Sequence, residues 1–189
     1  MAGARMSLMT CLVVLSIGLA RAYSSAEGVH GSHWAVLVAG SNTWYNYRHQ
    51  ADVCHAYHIV RGAGIPREHI IVMAYDDVAN SSLNRIFPGQ IFNKPTPAGT
   101  PGVDVYAGCE IDYRGRDVNP KTFTQVLTGV ATGTGSGKVL RSTRRDKVFV
   151  NFVDHGAVGL IGFPRESMHA KELLAALGRG AVREGSDRL

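Results

Sequence analysis

Cysteine is scarce in this sequence: Cys11, Cys54 and Cys109 are the three in 189 residues. That is too few for a disulfide framework, although one bridge between Cys54 and Cys109 is compatible with an oxidising compartment. Long apolar runs are missing as well. The longest, Cys11 to Leu19, is too short to span a bilayer. Charge of one sign is not concentrated. The formal charge is +5, but outside Arg141–Lys147 and the tail the basic residues are scattered, and no basic stripe carries interleaved aromatics. This argues against a nucleic-acid partner. No Gly-x-Ser-x-Gly elbow occurs, which disfavours a serine hydrolase of that type. Gly133 to Lys138 imitates a phosphate loop, but Thr132 stands at the required first glycine and Val139 at the required Ser or Thr. His55 and His58 are three apart on a predicted helix, with no further ligand at suitable spacing, so no metal or other cofactor is expected.

Hydrophobic residues make up 45% and charged residues 19%, enough for one globular domain with a core. Arg5, the apolar run Cys11–Leu19 and Ala20-Arg21-Ala22 read as a secretory signal peptide over 1–22. A leader follows over 23–31, then a domain over 32–177, then a divergent tail over 178–189. The expected locations are the secretory pathway and then a lysosome, a vacuole or the exterior, with no membrane contact once the signal is removed. Asn80-Ser81-Ser82 is a glycosylation sequon, with Asn80 as the acceptor.

Trp34 to Ala39 is apolar without alternation and reads as a strand buried on both faces. Val53, Ala56, Tyr57 and Val60 form the stripe of a following helix, which Gly62 to Pro66 ends. Ile70 to Ala74 is a second strand, which predicts a parallel pair with a right-handed crossover. Residues 78–120 hold five of the seven prolines and read as a long surface excursion with at most a short hairpin. Thr122–Thr128 reads as a short helix and Thr132–Lys138 as a flexible Gly-rich loop. Lys147–Val153 is the third strand, and Ser167–Leu177 has helical character. Cys54 beside the helix stripe reads as a small buried residue, Cys109 as a candidate free thiol.

Open parallel sheets bind ligands beyond the carboxyl ends of their strands. That rule selects Ser41–His49 after the first strand and Asp154-His155-Gly156 after the third. A histidine leaving a buried strand into a glycine is well placed as a general base, and the glycine N–H can face an oxyanion. Arg48 offers a fork of donors to a carboxylate or amide, and Asn46 can accept from an imidazole N–H. A polar strand end and a helix terminus with snorkelling side chains remain the plainer readings of these two segments.

The run His33–Ile70, with Met73–Asp77, Asp104-Val105-Tyr106, Asp112-Tyr113, Gly135–Leu140 and Asp154-His155-Gly156, resembles the legumains and plant vacuolar processing enzymes, over roughly residues 32–177. The resemblance implies an α/β fold, the caspase-like α/β/α sandwich with a mostly parallel sheet, here incomplete at the C-terminus. It implies a cysteine endopeptidase that cleaves proteins or peptides after asparagine, without metal or cofactor. By this resemblance His155 is the catalytic histidine, Gly156 the oxyanion-hole glycine and Asn46 the orienter of the histidine. Arg48 and His49 form the floor of the specificity pocket, and Asp154 is the aspartate beside the histidine. The family's Glu-Ala-Cys-Glu-Ser-Gly stretch, which holds the nucleophile, does not occur. In the related caspases His and Cys stand about 50 residues apart, and 34 residues follow His155 here. The expectation is therefore a fragment or truncated product, with an unpaired edge on the third strand. The catalytic subunit of the GPI transamidase shares the Asn-Tyr-Arg-His and His-Gly elements, and a non-catalytic peptide-binding protein is the other alternative. Asp154 before His155, and Gln50–Tyr57 as they stand, favour the legumain branch.

Overall fold

The computed structural model describes residues 31–182. The expected signal peptide and all of the leader but Gly31 lie outside the described residues.

Three strands form a parallel sheet in the order β2-β1-β3: β1 is His33–Ala39, β2 is Ile70–Met73 and β3 is Lys147–Val153. The apolar run of β1 does not alternate because both faces are covered, yet its side chains still divide by twos. Ala35, Leu37 and Ala39 pack with Ile70 and Val72 against α1 (Tyr47–Gly62). Trp34, Val36 and Val38 pack with Ile71 and Met73 on the opposite face. That second face is covered by α2 (Pro120–Thr128) and α3 (Ala170–Val182), through Phe123, Val126, Leu127 and Ala176. The result is a three-layer α/β/α sandwich, and the predicted parallel pairing of β1 with β2 is present.

The helix α1 ends where the sequence runs out of side chains to continue it. The Ala63 N–H donates to the Ile59 carbonyl and the Ile65 N–H to that of Val60. Gly64 takes φ 91° between them, a left-handed conformation that favours glycine. At the start of α2 the side chain of Asn119 accepts from the Thr122 N–H at 2.9 Å, Pro120 occupies the first turn, and Gly129 closes the helix at φ 64°. These caps set the helix boundaries.

Residues 80–103 cross the surface, with one antiparallel bridge, Phe92 to Asp104, but the expected excursion over 78–120 is not all surface: Ile111–Tyr113 return to the edge of β2 and are buried. The excursion is fastened to α1 at several points. Cys54 and Cys109 form a disulfide with Cα atoms 5.4 Å apart, so Cys109 is not a free thiol. The ring of His55 donates to Asn93 Oδ1 (2.6 Å), that of His58 to the Val105 carbonyl (2.9 Å), and Asn93 donates to Asp52 (2.6 Å). His55 and His58 thus serve as loop ties.

Two further expectations are corrected. The Gly-rich segment 132–138 is not loose. Ser136 donates to Asp112 Oδ1 from its hydroxyl (2.9 Å) and to the Asp112 carbonyl from its N–H (2.9 Å), while Lys138 Nζ reaches the carbonyls of Arg67 and Ile70. The stretch read as one helix from Ser167 begins instead as a strand. A small antiparallel sheet, β4 (Gly156–Ala157), β5 (Leu160–Gly162) and β6 (Ser167–His169), precedes α3. The helix then continues through Gly178 and Gly180 to Val182. Gly180 lies so close to Leu127 that a Cβ there would sit 2.9 Å from its carbonyl oxygen. A glycine lets α3 and α2 approach at that point.

The outer edge of β3 has no strand partner among the described residues. Phe149 on it is 52% exposed. Among the described residues, no helix is long and apolar enough to cross a membrane.

Candidate active site

The two strand ends selected from the sequence meet. The Gly40 N–H donates to the Val153 carbonyl at 3.0 Å, which aligns the carboxyl ends of β1 and β3. Ser41 then leaves β1, Asp154 and His155 leave β3, and the first turn of α1 supplies Arg48 and His49.

A single chain of polar contacts links them. The Ser41 hydroxyl lies 2.6 Å from His49 Nδ1, which is 3.4 Å from Asp154 Oδ1. The same Oδ1 is 3.1 Å from His155 Nδ1. On the far side of the ring, His155 Nε2 is 3.0 Å from Arg48 Nη2. A guanidinium has only donors, so Nε2 accepts, and the network assigns the proton to Nδ1, which donates to Asp154. The two imidazoles meet edge to face at 5.0 Å.

Burial divides the roles. The Asp154 side chain is 4% exposed and that of His155 is 59% exposed. A buried carboxylate that accepts from a half-exposed imidazole fixes its tautomer and its plane. His49 is buried; that burial, then the positive charge of Arg48, push its pKa below the usual histidine value, against the pull of Asp154.

Asp154 is itself held by two glycines. A Cβ on Gly40 would lie 2.8 Å from Oδ2, and one on Gly162 would lie 2.6 Å from it. Any side chain at either position displaces the carboxylate. Gly162 is brought there by its neighbour Phe163, which packs at 5.1 Å on Phe152 of β3 and at 5.8 Å on Phe123 of α2. Gly162 carries no signal in the sequence, since the carboxylate it closes over belongs to another element.

Gly156 begins β4 opposite Ile161. The Gly162 N–H donates to the His155 carbonyl at 3.0 Å, which makes Gly156 and Ile161 a non-hydrogen-bonded pair. The ladder therefore does not consume the Gly156 N–H, which points away from β5 beside the imidazole. Gly156 is exposed.

Asn46 closes the short turn that leads into α1. Its amide donates to the Asn42 carbonyl at 2.9 Å, and the structure records no bond from it to His155. Three residues earlier in the same turn, Thr43 has φ 72°, rare for a β-branched residue. Asp77 stabilises this turn by accepting from the Thr43 N–H (2.8 Å) and from Gln50 Nε2 (2.7 Å). That geometry holds the Asn46 side chain within its own turn.

An apolar groove of 380 Å³ lies elsewhere, beside Val148 and Val150 in the first half of β3. Concavity alone would have missed the polar constellation at the strand's other end.

The sequence pattern of the peptidase C13 family matches residues 33–187. The chain belongs to the peptidase C13 family. It is 58% identical to legumain of Bos taurus over 146 residues, 76% of this chain and 32% of that protein. Over 144 residues it is 54% identical to the hemoglobinase of Schistosoma mansoni (76% and 32%). Over 143 residues it is 51% identical to the vacuolar-processing enzyme delta-isozyme of Arabidopsis thaliana (75% and 29%). The chain thus spans about a third of the length of these curated relatives. The mostly parallel sheet and its two helical layers agree with the caspase-like fold expected for a C13 peptidase.

Proposed function

We propose that this chain carries the histidine half of a cysteine endopeptidase site that cleaves proteins or peptides after asparagine. The observation that supports it best is the ordered imidazole of His155, fixed through Nδ1 by Asp154 and standing beside the unpaired N–H of Gly156. In this reading His155 Nε2 takes the proton of a thiol, the resulting thiolate attacks the peptide carbonyl carbon, and a tetrahedral oxyanion forms against the Gly156 N–H. His155 hands a proton to the leaving amine, and water then hydrolyses the thioester. The thiol comes from a segment this sequence does not contain, because the Sγ atoms of Cys54 and Cys109 are bonded to each other and Cys11 lies in the expected signal peptide.

Arg48 and His49 serve substrate binding in this proposal. The guanidinium caps His155 Nε2 and is exposed. An asparagine side-chain oxygen that accepts from Arg48 draws it off the ring and frees the base. Asn46 shapes the turn that carries these residues.

The test joins this chain to the remaining portion of a legumain relative and uses fluorogenic peptides ending in asparagine. Cleavage that disappears with His155→Ala supports the proposal. Cleavage that survives the substitution, or that ignores the residue at the cleaved position, overturns it. A second reading is peptide binding without cleavage, favoured by the absence of a free thiol among the described residues. Binding of an asparagine peptide to the chain alone, lost with Arg48→Ala, supports that reading; no binding by the unaltered chain dismisses it.

The compartment we propose is the secretory pathway, ending in a lysosome, a vacuole or the exterior, where the Cys54–Cys109 bridge persists. Asn80 is exposed and is proposed as a glycan acceptor. A glycosidase-sensitive mass shift lost in Asn80→Gln is the expected result.

A further inference from the structure

We propose that His49, Asp154 and His155 form a binding site for a borderline divalent transition metal, zinc above all, with one coordination position left open. The sequence pointed to no metal, because two of the three ligands lie more than a hundred residues from the third along the chain.

The donor spacing carries the inference. A tetrahedral ion with bonds of about 2.0 Å to nitrogen and oxygen requires neighbouring donors about 3.3 Å apart. Asp154 Oδ1 is 3.1 Å from His155 Nδ1 and 3.4 Å from His49 Nδ1. One ligand atom from each of the three residues lies within 4.8 Å of the others. The carboxylate has only Oδ1 to offer, because Gly40 and Gly162 close over Oδ2. Two imidazoles and one carboxylate suit zinc, copper(II) or nickel and not calcium or magnesium. The exposed side of His155 gives the ion its path in, and water its place in the fourth position. The Ser41 hydroxyl, 2.6 Å from His49 Nδ1, turns aside.

One rearrangement follows from proton positions. An ion on His155 Nδ1 requires the ring proton to move to Nε2. Nε2 then cannot accept from Arg48, and two donors and a cation face one another. The guanidinium must swing out into solvent. Arg48 and the metal are therefore mutually exclusive partners of one ring, and by linkage removing Arg48 strengthens the metal. The site stands on this geometry and does not depend on the peptidase reading; if His155 is a catalytic base, the bound ion silences it.

The experiment titrates zinc chloride into the full chain by calorimetry, with cobalt(II) substitution to read coordination from the visible d–d bands. One equivalent binds, and the cobalt form shows the intense bands of a four-coordinate ion. His155→Gln, at an exposed position, weakens binding by roughly a hundredfold, and Arg48→Gln strengthens it by roughly tenfold. His55→Gln, on the far part of α1, leaves it unchanged. A gain in affinity cannot arise from misfolding, so the Arg48 variant keeps the proposal falsifiable even if the buried His49 variant does not fold. Unchanged binding in His155→Gln, weaker binding in Arg48→Gln, or loss confined to His55→Gln overturns the site.

Discussion

Asp154 Oδ1 stands 3.1 Å from His155 Nδ1, while the other oxygen of the same carboxylate is enclosed by Gly40 and Gly162. One oxygen orients the imidazole and the other is gripped by backbone. The orientation of His155 is therefore a property of β1, β3 and β5 together, not of its own loop.

Adding a methyl group to that grip should disturb the ring. Gly162→Ala is expected to cost about 1–3 kcal/mol, as overpacked sites do. It should also loosen the His155 tautomer, read by nitrogen NMR as a loss of the Nδ1–H form. Asp154→Asn should have the same spectroscopic effect. Asn46→Ala should leave the tautomer unchanged, and a shift in that variant would return the orienting role to Asn46.

The disulfide closes a loop of 55 residues in sequence. In the chain-entropy account its removal costs about 4 kcal/mol. Cys54→Ser with Cys109→Ser is expected to lower the denaturant midpoint accordingly. The His55 and His58 ties remain, so the excursion should stay docked on α1. Amide hydrogen exchange over 91–109 measures this, and full loss of protection there would contradict it.

Asp112 is buried with unusual company. It accepts from Arg67 through two nitrogens, from Lys138 and Ser136, and from the Val72 N–H at 2.9 Å. Asp112→Ala leaves two cations facing a buried gap and is expected to cost about 3–5 kcal/mol. Chemical denaturation checks this, and a loss under 1 kcal/mol would show the network to be solvated surface.

His49 gives a pH dependence. Its pKa in the fold lies below the ordinary value of 6.5, first through burial and then through Arg48. The unfolded chain thus binds the proton more readily than the native one. The stability contributed by the neutral ring is fully present above pH 6.5 and is lost as pH falls through the lower native value. Melting temperature should decline as pH falls from 6.5 through that lower native value, and His49→Gln should flatten the decline. A melting temperature that rises on acidification would show that His49 gains its proton in the fold.

The main elements were legible because burial leaves a local imprint. Val36–Val38 and Ile70–Val72 are uninterrupted apolar because both faces of the sheet are covered, and Val53, Tyr57 and Val60 repeat at helical spacing because one face of α1 is. Strands of two or three residues, such as β4 to β6, are too short to show any period, so Ser167–His169 was read into the helix that follows. The Gly-rich segment looked loose because its anchor, Asp112, lies far from Ser136 in sequence. At the site, the strand-end rule picked His155, Asp154, Arg48 and His49 with no knowledge of contacts. It could not show that Asn46 turns back on Asn42, since that depends on the torsions of one tight turn. It could not supply Gly162 either, whose part at the site is to be small beneath a carboxylate.

The fastening of the excursion to α1 bears on what a processing enzyme could do to this protein. Residues 97–103, rich in proline and glycine, are exposed and lie between the two bridged cysteines. A cut there would leave two pieces joined through sulfur, with β1, β2 and β3 all still in place. Such a nicked form would run as a single species on a non-reducing gel and separate only with reductant, so a single non-reducing band by itself would not show that the backbone is whole.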